Sequence, residues 1–433
     1  MSSITVGIIG LGILFLIMFL RVPIGVAMAL VGIIGFSYLV SVEGALHVAA
    51  AEVYSMFFSY SLTPVALFIF MGQIVFRSGV GERLYRTVYS WLGHLGGGLS
   101  MATIGACAGF AAICGSPTAS VATMGTVCLP EMKRYNYDPA LATGCVAAGG
   151  TLGILIPPSV TFIVYGILVE ESIGKLFIAG IFPGLLLAGL FIVTIFVITR
   201  RNPRLGPPGT RATWRERLVS LTGVWEMLVL FALVMGGLFA GLFTPTEAGA
   251  LGAFGALILG LVERRLTRRE LIMSLFETLR TTSMVFVILA GTSILGRFLA
   301  VTKIPFELAG WVSELPVSPM AIFAVIVLMY IIAGCVIEAL PLIMLTVPIF
   351  FPVVVALGFD PIWFGVIIVL VAQMGLITPP VGVSAYVIKG VAPDVPLGTI
   401  FRGAITFLPA MVICVIILMA FPQIALFLPN LMS

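Results

Sequence analysis

Charge is what this sequence has least of: 9% of its 433 residues are Asp, Glu, Lys or Arg, whereas 61% are hydrophobic. A soluble domain carries about 25% charged and about 45–50% apolar residues. So few charges cannot cover a water-facing surface, and with a mean hydropathy of +1.22 the solvent must be mostly lipid. Histidine is nearly absent, and the only two, His47 and His94, are far apart. That argues against a His-based metal site or an acid–base dyad. The six cysteines (107, 114, 128, 145, 335 and 414) lie in apolar segments without close paired spacing and read as small buried hydrophobes. Neither a nucleophile elbow nor a phosphate-binding loop is present, so no enzymatic role is expected. The apolar runs are continuous, with no period-two alternation, which excludes a β-barrel. The first of them, Ile4 to Leu20, lacks a basic flank and a small-residue cleavage signal and reads as a retained helix. A net charge of +4 points to no nucleic-acid partner; what matters is where the positive charges sit.

What is there is a succession of apolar runs, at 4–20, 24–40, 57–76, 99–130, 140–169, 176–198, 223–243, 246–262, 272–300, 319–357, 362–390 and 403–429. Two loops between them are strongly basic: one holds Arg200, Arg201, Arg204, Arg211, Arg215 and Arg217, the other Arg264, Arg265, Arg268 and Arg269. The excess of Lys and Arg on cytoplasmic loops puts both inside, with two spans between them joined at Thr244-Pro245-Thr246. Arg77, Arg83 and Arg86 precede the 99–130 run, and Lys133 and Arg134 follow it. Both clusters are cytoplasmic only if that run enters and leaves on one side. Its middle, Cys114-Gly115-Ser116-Pro117-Thr118-Ala119-Ser120, breaks helices, and each arm has about 14–16 residues, short of the ~20 that a span needs. A re-entrant hairpin is therefore favoured over a pair of full spans. In the second half, 319–357 carries a similar break at Gly334-Cys335-Val336-Ile337-Glu338-Ala339-Leu340-Pro341 and reads as a hairpin entered from the outer face. The expectation is an all-α polytopic membrane protein with about ten full crossings, two hairpins and a surface helix at 41–56.

The halves match at a fixed offset. Asp138-Pro139 and Gly153-Ile154-Leu155-Ile156-Pro157-Pro158 recur 222 residues later as Asp360-Pro361 and Gly375-Leu376-Ile377-Thr378-Pro379-Pro380. Pro130 and Pro352, and Pro23 and Pro245, keep that offset, while Gly115 and Gly334, and Gly72 and Gly291, lie 219 apart. Features repeated in order indicate a duplication. An inverted repeat with Pro- and Gly-interrupted helices in corresponding places points to a secondary transporter's binding site. A Pro-Pro pair inside a span frees backbone carbonyls, which lipid does not tolerate, so they must line a protein-walled or wet cavity. Freed carbonyls suit Na⁺, and half-helix N-termini suit an anion. The plainer reading is that each Pro-Pro merely kinks its helix.

These motifs resemble those of the large membrane subunit of tripartite ATP-independent periplasmic (TRAP) transporters. The resemblance rests on Gly115-Ser116-Pro117-Thr118-Ala119-Ser120-Val121-Ala122-Thr123-Met124-Gly125, on 153–159, on Leu345-Thr346-Val347-Pro348-Ile349-Phe350, on 358–361 and on 375–382, with the Thr-Pro-Thr-Glu-Ala turn at 244–248. It implies an elevator-type, sodium-coupled importer of organic acids (a C4-dicarboxylate, sialic acid or a similar carboxylate) in the bacterial inner membrane. It further implies two partners, a small four-helix membrane subunit and a soluble periplasmic binding protein, and no cofactor beyond the coupling sodium ions. Carried over by motif, the first sodium site comprises Gly115, Ser116, Pro117, Gly153, Ile156 and Pro158, and the second Gly334, Gly375, Thr378 and Val381. Relatives often read Ser-Gly-Ser at the first tip and carry Asn and Glu before the second glycine; this chain has Cys114-Gly115-Ser116, Val371 and Gln373. The alternative is a stand-alone sodium/carboxylate symporter that needs no binding protein.

On this reading residues 1–76 hold the scaffold helices of the first repeat, and 77–198 its hairpin, broken helix and following helix. Residues 199–300 hold the basic loops and scaffold helices of the second repeat, and 301–433 its hairpin, broken helix and terminal helix. Thr118, Ser120, Ser159, Glu338 and Ser384 are candidates for the substrate or cavity wall. An intramembrane carboxylate such as Glu338 is a functional candidate, or else a helix cap at a wet tip; the hydroxyls can instead bond to the preceding helix turn. Arg297 and Lys389, near span ends, are expected to snorkel to the interface. Trp91, Trp225 and Trp311 fit an aromatic belt, and the basic loops can touch anionic lipid.

Overall fold

Residues 2–20 and 22–432 are described by a computed structural model, and every regular element among them is helical. The first half runs through Ser3–Phe19, Ile24–Leu39, Val42–Phe58 and Thr63–Arg77 to an amphipathic helix, Val80–Leu92. A hairpin follows (Gly98–Cys114, Pro117–Arg134), then a broken helix (Pro139–Thr151, Val160–Val169) and the 29-residue Ile173–Arg201. After Trp214–Leu221 and Trp225–Phe239 the order recurs. Pro245–Val262 and the 35-residue Arg268–Thr302 lead to Ile304–Glu314. Then come a second hairpin (Pro319–Gly334, Ala339–Ala356), a second broken helix (Pro361–Ile377, Val383–Val391), and Leu397–Ile405 with Leu408–Ala420.

Local chemistry sets these boundaries. Asp138 and Asp360 accept from backbone amides at the starts of the broken helices, Leu141 for the first, Ile362 and Trp363 for the second. The proline after each sits in the first turn, where no amide is needed. Reciprocal Thr–Glu capping boxes, Thr244 with Glu247 and Thr267 with Glu270, start the helices before the second hairpin.

Glycine lets the long helices approach closely. Ile24–Leu39 lies along Arg268–Thr302, where a Cβ on Gly291 would stand 2.1 Å from the Gly25 carbonyl oxygen. Pro245–Val262 lies along Thr63–Arg77, where a Cβ on Gly252 would meet the Met71 sulfur at 2.5 Å. The hairpins and broken helices interlock across the halves: Pro117–Arg134 packs on Val383–Val391, and Ala339–Ala356 on Val160–Val169.

Among the described residues six helices are long and apolar enough to cross a membrane, seven if the pair Trp214–Leu221 and Trp225–Phe239, bent by 49°, is one span. Seven further apolar helices are shorter, including Gly98–Cys114 and Pro319–Gly334. Three details differ from expectation. The arms of the first hairpin have 17 and 18 residues, because helix continues past the apolar run as far as Arg134. The stretches before the two hairpins, which fall outside the apolar runs, form the helices Val80–Leu92 and Ile304–Glu314. Arg297 makes an ion pair of 2.6 Å with Glu52, from the helix Val42–Phe58 that covers the predicted surface segment.

Candidate functional site

Each helix break is a short run of capping chemistry. At the first hairpin Gly115 ends one arm in the left-handed region (φ 60°), Ser116 caps the next by accepting from Ala119 N, and Pro117 opens it. The second hairpin turns over Cys335–Glu338. Glu338 stands at the cap position of the second arm but makes no side-chain capping bond. In the broken helices Ser159 caps Val160–Val169, accepting from Phe162 N, and Gly382 (φ 49°) precedes Val383–Val391.

Each hairpin turn presses on the break of the broken helix in its own half. In the first half a Cβ on Gly153 would lie 2.9 Å from the Ser116 carbonyl oxygen, and one on Gly115 would lie 2.8 Å from that of Pro158. In the second, a Cβ on Gly375 would lie 1.8 Å from the Gly334 oxygen, and Val381 N donates to Cys335 O at 3.3 Å. Gly115, Ser116, Pro117, Gly153 and Pro158 are thus brought together, as are Gly334, Gly375 and Val381. Ile156 lies beneath Gly184 of the following helix, and the Thr378 hydroxyl donates to Met374 O at 2.6 Å.

Both turns open on one cavity of about 470 Å³. Its wall includes Ser116 and Thr118 of the first hairpin, Glu338 of the second, and Ile154 and Leu376 beside the breaks. Gln73, Glu277 and Thr281 join from Thr63–Arg77 and Arg268–Thr302. The lining contains two carboxylates and no Lys, Arg or His; Arg280, 4.0 Å from Glu277, is largely exposed. Thr118 and Glu338 therefore face the cavity. Ser120, Ser159 and Ser384 are buried away from it: the Ser120 hydroxyl donates to Ser116 O, and Ser159 is occupied as a cap.

Gln73, Glu277 and Thr281 were absent from the sequence-level site. Gln73 stands out as polar within an apolar stretch, whereas Glu277 and Thr281, one turn apart on the same face, lie in the polar first half of Arg268–Thr302, where nothing in the sequence singles them out. The Gln373 amide, fully buried two residues before Gly375, has neither its nitrogen nor its oxygen hydrogen-bonded within the protein. Buried polar groups are normally paired.

Residues 11–424 match the family described as tripartite ATP-independent periplasmic transporter, DctM component. The chain is 38% identical over 372 residues to the C4-dicarboxylate TRAP transporter large permease protein DctM of Pseudomonas aeruginosa, covering 86% of each. It is 33% identical over 417 residues to the sialic acid TRAP transporter large permease protein SiaM of Vibrio cholerae, covering 96% of each. In fold it resembles the YdaH transporter of Alcanivorax borkumensis, with a TM-score of 0.63, 13% identity and coverage of 88% of this chain and 89% of that one. With its broken helices, its paired hairpins and these relatives, the chain belongs to the TRAP transporter family as a large permease component, a multi-pass membrane transport protein and not an enzyme.

Proposed function

We propose that the protein is the transport subunit of a sodium-coupled importer of organic acids, carrying a C4-dicarboxylate, sialic acid or a similar carboxylate across the bacterial inner membrane. The carrying observation is the shared cavity, bounded by both hairpin turns and both breaks and lined by Glu277 and Glu338 with no basic side chain. A carboxylate entering it meets negative charge, and in a low-dielectric setting that repulsion is strong. Cations that travel with the anion remove it. Carbonyls at the two pressed contacts, Ser116–Gly153 and Gly334–Gly375, are hard oxygen ligands suited to sodium. The N-termini of Pro117–Arg134 and Ala339–Ala356, both at the cavity, supply partial positive charge to the substrate.

The halves are read as an inverted repeat. Two pairs of packed helices exchange under the offset: Ile24–Leu39 on Arg268–Thr302 answers to Pro245–Val262 on Thr63–Arg77. A two-fold relation gives that pattern. The scaffold is 1–76 with 199–300, and the moving body is 77–198 with 301–433, whose hairpins and broken helices interlock across the repeats. Sliding of this body past the scaffold alternates access by an elevator mechanism. The basic loops at 200–217 and 264–269 face the cytoplasm, and the family's tripartite character supports a small membrane subunit and a periplasmic binding protein as partners.

The test is uptake into proteoliposomes holding the chain with its small subunit, supplied with binding protein and an inward sodium gradient. Uptake should require all three. Full-rate uptake without sodium would sink the coupling, and uptake by this chain alone would establish a stand-alone symporter.

A further inference from the structure

The central cavity has two walls that differ in kind. Ser116, Thr118 and Glu338, at the hairpin turns, belong to the moving body proposed above. The scaffold supplies Ile69 and Gln73 from Thr63–Arg77, and Glu277, Thr281, Met284 and Val285 from Arg268–Thr302. The last four recur at helical spacing and form one stripe on one helix face. The stripe is graded. Glu277 stands about 15 Å along the helix from its cap at Thr267, on the side placed in the cytoplasm, with Thr281 a turn beyond it. Met284 and Val285 follow, and from Thr281 outward the helix carries no charge before Arg297. Gln73 is level with the polar end: the Ser274 hydroxyl donates to its backbone carbonyl at 3.4 Å.

Glu277 is partly buried, and its one ion-pair neighbour among the described residues, Arg280, reaches it only at 4.0 Å with a side chain 82% exposed. Water screens a contact of that kind, so the guanidinium offsets little of the carboxylate's charge. No Lys, Arg or His lines the cavity. The two cavity carboxylates therefore act at different times. Glu338 travels with the second hairpin and stays beside the substrate throughout. Glu277 is fixed on the scaffold and meets the substrate only when the hairpin turns stand at the inner end of the stripe.

We propose that Glu277 is a charge-sensing residue for substrate release, a fixed carboxylate that repels the bound anion at the cytoplasmic end of its path once the sodium ions have left. The anion is then held more weakly facing inward than outward, which favours unloading into the cell. A cavity of about 470 Å³ is about 10 Å across, and unit charges that far apart at an effective dielectric of about 25 alter affinity about tenfold per substrate charge. Such a role rests on the anion-import reading above.

The test is sodium-driven uptake into proteoliposomes holding the chain with its small subunit, with the binding protein outside so that only outward-facing molecules are read. Succinate, a dianion, or sialic acid, a monoanion, is loaded into the lumen, and the lumenal concentration that halves uptake is measured. Glu277→Gln should lower that concentration about tenfold for sialic acid and about a hundredfold for succinate. Glu277→Asp should behave as wild type, and Arg280→Gln should shift the value the opposite way. Unchanged lumenal inhibition in Glu277→Gln, or equal shifts in the Gln and Asp variants, would overturn the proposal. A raised apparent sodium KM with unchanged lumenal inhibition would also overturn it, by making Glu277 part of the ion path. If Glu277→Gln does not fold, Arg280→Gln decides alone, and no shift there refutes the role. Wild-type uptake that no lumenal anion inhibits would remove the anion on which the role depends. Wild-type uptake indifferent to sodium is a separate result, read before any variant, and overturns the coupling instead.

Discussion

Gly375→Ala is the sharpest perturbation of the candidate site. The added Cβ would stand 1.8 Å from the Gly334 carbonyl oxygen, 2.0 Å from its carbon and 2.7 Å from its Cα. These are backbone atoms, so no side chain can rotate away. To reach 3.4 Å, where ordinary contact begins, the second hairpin turn must retreat about 1.6 Å. At Gly153 the equivalent atom meets the Ser116 oxygen at 2.9 Å, and a retreat of about half an ångström suffices. Overpacking of this kind costs about 1–3 kcal/mol, and a 1 Å misplacement of site groups can reduce turnover about a hundredfold. Gly375→Ala should therefore insert into the membrane, lower the Tm measured in detergent, and lose about a hundredfold in reconstituted uptake. Gly153→Ala should keep a Tm near wild type and lose severalfold at most. Wild-type uptake by Gly375→Ala with unchanged sodium dependence would refute the placement of the second site. Greater damage from Gly153→Ala would refute the use of these distances.

Gly403→Ala places a Cβ 1.8 Å from the Ala140 carbonyl oxygen, forcing Leu397–Ile405 away from Pro139–Thr151; thermal unfolding should register a loss of about 1–3 kcal/mol. Gln373→Leu removes a buried amide with no partner within the protein, so Tm should rise, by the equivalent of about 1 kcal/mol; a fall would reveal a bound water or ion. Asp394, in the loop before Leu397–Ile405, is held below the usual carboxylate range chiefly by its hydrogen bond from Lys133 at 2.5 Å. A depressed folded-state value means its contribution is present above the unfolded value of about 3.9 and lost as pH falls through the folded one. The Tm difference between wild type and Asp394→Asn should thus be small at neutral pH and vanish in acid; a difference that widens on acidification would contradict the sign.

What was legible in the sequence was local. Gly115-Ser116-Pro117 codes a helix end, a cap and a helix start within three residues, and Asp138-Pro139 and Asp360-Pro361 code starts. The Pro-Pro pairs necessarily open the helices that hold them. The hairpins and the broken helices follow from such preferences because each depends on residues a turn or two apart. The helix Val80–Leu92 fell outside the apolar runs because its charges mark one face, while the buried Val80, Leu84 and Tyr85 mark the other. Tertiary structure alone decided that Glu277 and Thr281 complete a cavity begun by Ser116 and Glu338, and that Arg297 finds Glu52. Conformational preference is set by a residue's neighbours in sequence and can be read there. Proximity between distant segments depends on how many helix faces pack at once, a sum over the whole chain that no motif contains.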